Sequence, residues 1–152
     1  MSDTNKDLVR RFYEDVFVRG ELDLLDVIAP DLRGHGTLPP GVPERGSAPY
    51  KRTVEMFRAA FPDLTYQIPI VIGEADLVAA RVVMLGTHRG SFLGISPTNR
   101  RVQYAGMDFF RCLDGRLVEH WALSDDLGLL QTLGAIPTDQ RWSRPPPSSS
   151  TL

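Results

Sequence analysis

The sequence predicts an α+β domain in which N-terminal helices are laid on one face of a curved antiparallel sheet. Three observations carry this reading. Apolar residues recur at helical spacing up to about Phe61; from Tyr66 onward the period changes to two; and 152 residues leave room for one real core with no prior for a second. Runs of helices followed by a meander of strands make a cone with a hollow between the two layers, and that hollow is the default pocket.

Leu8, Val9, Phe12, Tyr13, Val16 and Phe17 mark an amphipathic helix from Asn5 to Arg19, with Gly20 placed for a left-handed cap. A short second helix is expected from Glu21 to Ile28, because Pro30 turns Ala29 away from helical angles. The stretch from Thr37 to Pro49 is dense in Pro and Gly and reads as a surface loop or lid. Ser47 is placed to cap a third helix, whose stripe of Tyr50, Val54, Phe57 and Phe61 ends at Pro62.

Tyr66, Ile68, Ile70 and Ile72 alternate as a strand, and Pro69 implies an edge or a bulge. Leu77 to Arg89 is apolar on both faces, as a central strand is. Arg101 to Cys112 follows, and Asp114-Gly115 turns the chain into Leu117 to Leu123 as a hairpin. Ser124, Asp125 and Asp126 offer caps to a last helical turn closed by Gly134 and Pro137, and capping is the expected role of Asp125. The domain is thus residues 1–137, followed by a flexible Pro/Ser-rich tail over 138–152.

Composition narrows the function. Seventeen Lys plus Arg against 19 Asp plus Glu give a net charge of −2, which offers no surface for general phosphate neutralisation, so no nucleic-acid partner is expected. The single cysteine, Cys112, cannot form an internal disulfide, and with three histidines it builds no Cys-rich zinc module. No signal peptide and no membrane span are read, so a soluble cytoplasmic protein in a reducing setting is expected. Phosphate-binding Gly loops and HxxxH spacings are absent, so neither a cofactor nor a metal is expected.

Asp108 stands between Met107 and Phe109, and apolar company disfavours the charged form of a carboxylate, which lets the group donate a proton or a hydrogen bond. Its partner depends on the hairpin. A three-residue turn with a bulge at Gly115 sets Asp108 opposite His120; a two-residue turn sets it opposite Trp121. Tyr104 and Phe110 share its face by alternation. An Asp108–His120 pair can abstract a proton next to a carbonyl or polarise a carbonyl or epoxide oxygen; its structural counterpart is a buried pair that satisfies two polar groups. His35, between glycines, is the candidate general base at the mouth, against a solvated loop histidine. His88, at a strand end, is the candidate for orienting a substrate carbonyl, against a side chain that ties the following loop. Phe12, Met56, Phe57, Phe92, Tyr104, Phe110 and Trp121 supply candidate walls for a flat aromatic ligand.

The phrases LVRRFYEDVF, APDL, MFRAAFPDL, GTHRGSFLGISPTNRRV, DFFRCLDGRLVEHW and DLGLLQTLGAIP together resemble the SnoaL-like polyketide cyclase family, over about Leu8 to Pro137. The resemblance implies the conical fold shared with nuclear transport factor 2 and ketosteroid isomerase, a homodimer or larger oligomer, and cofactor-free aldol closure of a ring on a hydrophobic polyketide-derived substrate. It also implies a histidine before the hairpin and a catalytic aspartate after the His-Trp pair, where this chain has Asp108 and Ala122. Asp108 in DFFR is similar instead to the Asp of ketosteroid isomerase, which precedes a like aromatic-Arg pair. The family's pocket side favours the register with Asp108 opposite His120. Two other functions suit such a cone: an epoxide-opening hydrolase or cyclase, and a non-catalytic ligand-binding or oligomerisation module, the latter favoured by Ala122.

Overall fold

In the computed structural model the described residues are 2–21, 23, 26–36 and 45–139. Helix α1 (Ser2–Arg11) continues without a break as a π-helical segment (Phe12–Val18). Strand β1 (Ile28–His35) and helix α2 (Ser47–Ala60) follow. Then come β2 (Thr65–Glu74), β3 (Leu77–Thr87), β4 (Arg101–Leu113), β5 (Arg116–Ser124) and the short α3 (Asp126–Thr132). The five strands form one sheet in the order β1-β5-β4-β3-β2. Its pairs are antiparallel except β1 with β5, which run parallel, so the expected all-antiparallel sheet carries one parallel edge. No helix among the described residues is long and apolar enough to cross a membrane.

The core lies between the sheet and the helices. Val78, Ala80, Val82 and Met84 of β3 and Val102, Phe110 and Cys112 of β4 alternate inward and meet Leu8, Val9, Phe12, Val16 and Val54 of the helices. The first helix closes where it was expected to, at Gly20 with φ +73°, and the Arg58 guanidinium sits where a Cβ on Gly20 would stand. Arg58 Nη1 donates to the Phe17 and Val18 carbonyls, satisfying acceptors that a helix end leaves open.

Two local expectations change. Ile28 and Pro30, expected to finish a second helix, belong to β1; Pro30 is tolerated because β1 is an edge whose pairing with β5 slips between Ile28 and Arg33. Residues 22, 24 and 25 of that expected helix, 37–44 of the loop expected from Thr37 to Pro49, and 140–152 of the tail lie outside the described residues. Ser47 is the first residue of α2 rather than its cap, which falls on Gly46. Pro69 produces the anticipated bulge on an edge strand, with the β2–β3 register shifting between Gln67 and Ile70.

On the outer face, an ionic clasp ties β1 to the sheet. Glu119 Oε1 lies 2.9 Å from His35 Nε2, and Glu119 Oε2 accepts from Arg111 Nε at 3.3 Å, while Arg111 Nη1 donates to Asp76 Oδ2 at 2.6 Å. The hydrogen bond from His35, with that from Arg111, holds the Glu119 carboxyl below its ordinary value of 4.5. A depressed folded-state value contributes stability that is present above the ordinary value and lost as pH falls through the depressed one. Glu119→Gln should therefore be less stable than the wild type at pH 6, and the gap should close as unfolding is measured at steps below about pH 4.5. A gap that stays constant into acid would remove the clasp from the account.

Candidate active site

The hairpin fixes the geometry of the site. Asp114 (φ +50°) and Gly115 (φ +72°) form the two-residue turn that Asp-Gly favours, with Leu113 opposite Arg116. Val118 is then an extra residue on β5, and the register beyond it pairs Phe110 with His120 and Asp108 with Ala122. Neither register drawn from the sequence is the one present, because the bulge falls on β5 rather than at the turn. Asp108 and His120 still share the inner face, as diagonal rather than direct neighbours.

Both are buried, at 5% and 6% exposure. His120 Nε2 lies 3.7 Å from Asp108 Oδ2, an ion-pair distance beyond hydrogen-bond length, so the expected hydrogen-bonded pair is not formed. Each group is held by a phenol instead. The Tyr13 hydroxyl donates to Asp108 Oδ2, and the Tyr50 hydroxyl lies 3.2 Å from His120 Nδ1. The His120 ring stacks on Phe110 with centroids 4.2 Å apart. Asp108 Oδ1 and His120 Nε2 are left buried with no hydrogen-bond partner among the described residues.

Both side chains line a cavity between the π-helical segment, α2 and the sheet. The space it encloses, open mouth included, is ≈ 570 Å³. Rings of Phe12, Phe17, Phe57, Tyr66 and Tyr104 form the walls, and the small residues Gly106, Ala122 and Ser124 form the floor. Burial, and then the Asp108 charge, push the phenols of Tyr13 and Tyr66 far up; burial and a bond to Asp126 do the same for Tyr104. The cavity therefore presents neutral hydroxyls, which can donate, beside one carboxylate. No Lys or Arg lines it among the described residues.

Of the residues singled out in the sequence, Asp108, His120, Tyr104, Phe12, Phe57 and Ala122 meet in this cavity. Phe110 lies behind it as the platform for His120. Phe92 packs on Phe57 and Phe61, and Met56 against the core, both outside the lining. His35 and Trp121 are corrections: they are cross-strand partners on the outer face, stacked with centroids 5.2 Å apart, with Arg111 over the indole. Alternation dictates this, since neighbours of His120 on a strand point away from it.

His88 is also displaced. It is fully buried behind Phe61, and its Nδ1 accepts from the Thr98 backbone N–H at 3.2 Å, tying the two ends of the loop before β4. Burial lowers its proton affinity, so it serves as a neutral strut. Asp125 caps α3, accepting from the Gly128 N–H at 2.9 Å, as expected. The sequence reading missed Tyr13 and Tyr50, which it assigned to core stripes. The available signal was a phenol in an apolar stripe, whose hydroxyl must find a partner when buried.

Residues 7–133 match the family model for the SnoaL-like polyketide cyclase. Among curated proteins, the chain is 30% identical to nogalonic acid methyl ester cyclase of Streptomyces nogalater over 122 residues, covering 79% of this chain and 90% of the relative. It is 28% identical to the aklanonic acid methyl ester cyclase DauD of Streptomyces sp. (strain C5), covering 93% and 89%. Among solved structures, IdmH from Streptomyces antibioticus superposes with a TM-score of 0.74 at 33% identity, covering 86% of this chain and 98% of that one.

Proposed function

The chain belongs to the SnoaL-like polyketide cyclase family, and on that premise we propose that it closes a ring in an uncharged, polyketide-derived aromatic ester by an intramolecular aldol reaction run by Asp108 and His120. One observation carries the assignment of residues: Asp108 Oδ1 and His120 Nε2 are buried and unpartnered on adjoining positions of one apolar cavity. His88 Nε2 is the third such atom among the described residues and lies away from the cavity; the two at the cavity mark where a substrate's polar atoms belong.

In this reading Asp108 Oδ1 removes a proton from the carbon next to a substrate carbonyl. The resulting enolate attacks a second carbonyl carbon of the same molecule, forming the carbon–carbon bond. The alkoxide produced takes a proton back, so product and substrate are isomers and no redox partner enters. With the Tyr50 hydroxyl donating to Nδ1, His120 carries its proton on Nε2 and donates it to the carbonyl that becomes the alkoxide. The phenols of Tyr13, Tyr50 and Tyr104 are engaged with Asp108, His120 and Asp126, which leaves Tyr66 as the lining phenol able to donate to the substrate.

The lining also supports the choice of an ester. With a carboxylate inside and no Lys or Arg in the walls, a free acid would meet repulsion without a counter-charge, whereas its methyl ester would not. The carboxylate that relatives are expected to carry on β5 is absent at Ala122, and Asp108 directly across the strand pair takes over its task.

The direct test is turnover of an aromatic polyketide methyl ester, followed by the appearance of a cyclised isomer. Asp108→Asn and His120→Ala should each lower kcat by about 10²–10⁴-fold, the range for loss of a positioned acid or base. His35→Ala, on the outer face, should stay within about threefold. Undiminished turnover in both cavity variants would end this assignment.

We further propose that the enzyme acts in the cytoplasm, where its single thiol stays reduced, and that it is a homodimer joined through the outer sheet face. Two cross-strand rows support the dimer: Ile72, Ala79, Phe109 and Trp121 in one, Ile70, Arg81, Met107 and Leu123 in the next. Ile70, Ile72, Met107, Phe109 and Leu123 are half exposed or more, and a second copy of the same face would cover them. Light scattering should give twice the chain mass for the wild type and a single chain mass for Leu123→Lys. A wild type that runs as one chain at high concentration would contradict the dimer.

A further inference from the structure

The cavity holds its two reactive groups by phenols that arrive from different helices, and the grip on Asp108 is the more constrained. Tyr13 is enclosed by other rings: Phe12 at 5.0 Å, Tyr66 at 4.8 Å, and Phe17 and Phe110 each at 6.1 Å between centroids. It is 3% exposed, so its hydroxyl has one direction in which to point. That direction ends on Asp108 Oδ2.

The backbone serves this placement. Five-residue spacing in an α-helix turns two side chains roughly 140° apart, since each residue advances about 100°. In the π-helical segment Phe12 and Phe17, five apart, stand with ring centroids 5.4 Å from each other, and both line the cavity with Tyr13 between them in sequence. The segment thus packs three aromatic side chains against one region of the sheet, and π-helical turns recur where function needs such a placement.

A carboxylate has two equivalent oxygens and turns easily about its last bond. In Asp108 the two are made different: Oδ2 receives the phenol and lies nearest His120, whereas Oδ1 has no partner among the described residues. We propose that Tyr13 is a positioning residue for the ring closure, pinning Asp108 through Oδ2 so that Oδ1 alone is presented to the substrate proton. This inference rests on the reading of Asp108 as the base. Tyr13 acts through Asp108, so it contributes to the proton-transfer step and little to substrate affinity.

The test is a double-mutant cycle on the full-length chain, with an aromatic polyketide methyl ester as the probe and kcat and KM read separately. Tyr13→Phe, which keeps the enclosed ring, should lower kcat about tenfold and leave KM within about twofold. In the Asp108→Asn background the same change should cost less than about twofold, because residues that act as a unit are not additive. Fluorotyrosine at position 13 retains the donor and the shape, and should restore kcat to within about threefold of wild type. Equal losses in both backgrounds, or an unaltered kcat in Tyr13→Phe, would overturn the positioning role while leaving Asp108 as the base. Full activity in Asp108→Asn alone would remove the base and this inference together.

Discussion

The constraint on which the site depends is the burial of the Asp108 carboxyl on the inner face of the sheet, where, His120 and the phenols of Tyr66 and Tyr104 apart, the surrounding residues are apolar or small. A buried carboxyl without partners is expensive, and a hydrogen bond to a charged group returns about 1.5–3 kcal/mol. Tyr13 supplies that bond from the N-terminal helix, which must therefore lie across the sheet at the level of β4. The π-helical segment, the Arg58 cap at its end and Gly20 beyond it fix where the helix stops and what it presents. The packing of the first helix and the chemistry of the cavity are one arrangement.

The second half of the site follows from the hairpin. One residue, Val118, bulges from β5 and shifts every later pairing, which sets Ala122 opposite Asp108 and leaves His120 one step along the same face. A small side chain across from the carboxyl keeps the floor open, and the diagonal relation keeps carboxyl and imidazole near without joining them. Two groups in direct contact would satisfy each other. Held 3.7 Å apart and gripped from behind by Tyr13 and Tyr50, they leave an oxygen and a nitrogen without a partner among the described residues.

Much of the fold was legible because it rests on periodicity and punctuation. The central place of β3, the Pro69 bulge, the Asp114-Gly115 turn and the Asp125 cap are local signals, and each is realised. The inner-face location of Asp108 and His120 was legible for the same reason. A β-bulge at Val118 leaves no mark in the residues around it, so the exact partner of Asp108 was not legible. The strand assignment of Ile28 and Pro30 depends on pairing with a distant strand, β5, and so on tertiary structure. His35 and Trp121 were assigned to the pocket by chemistry, whereas the period-two rule, applied outward from His120, sends them to the other face.

The measurement that bears most directly on the central claim separates proton removal from ring closure. An aromatic polyketide methyl ester carrying deuterium next to its carbonyls is incubated with enzyme in H2O, and its isotope content is followed by mass and by NMR. The account requires deuterium to leave the carbon that becomes the nucleophile, at a rate that the wild type accelerates and Asp108→Asn does not. Acceleration by the variant equal to that of the wild type would show that some other group takes the proton, and the Asp108 mechanism would be abandoned.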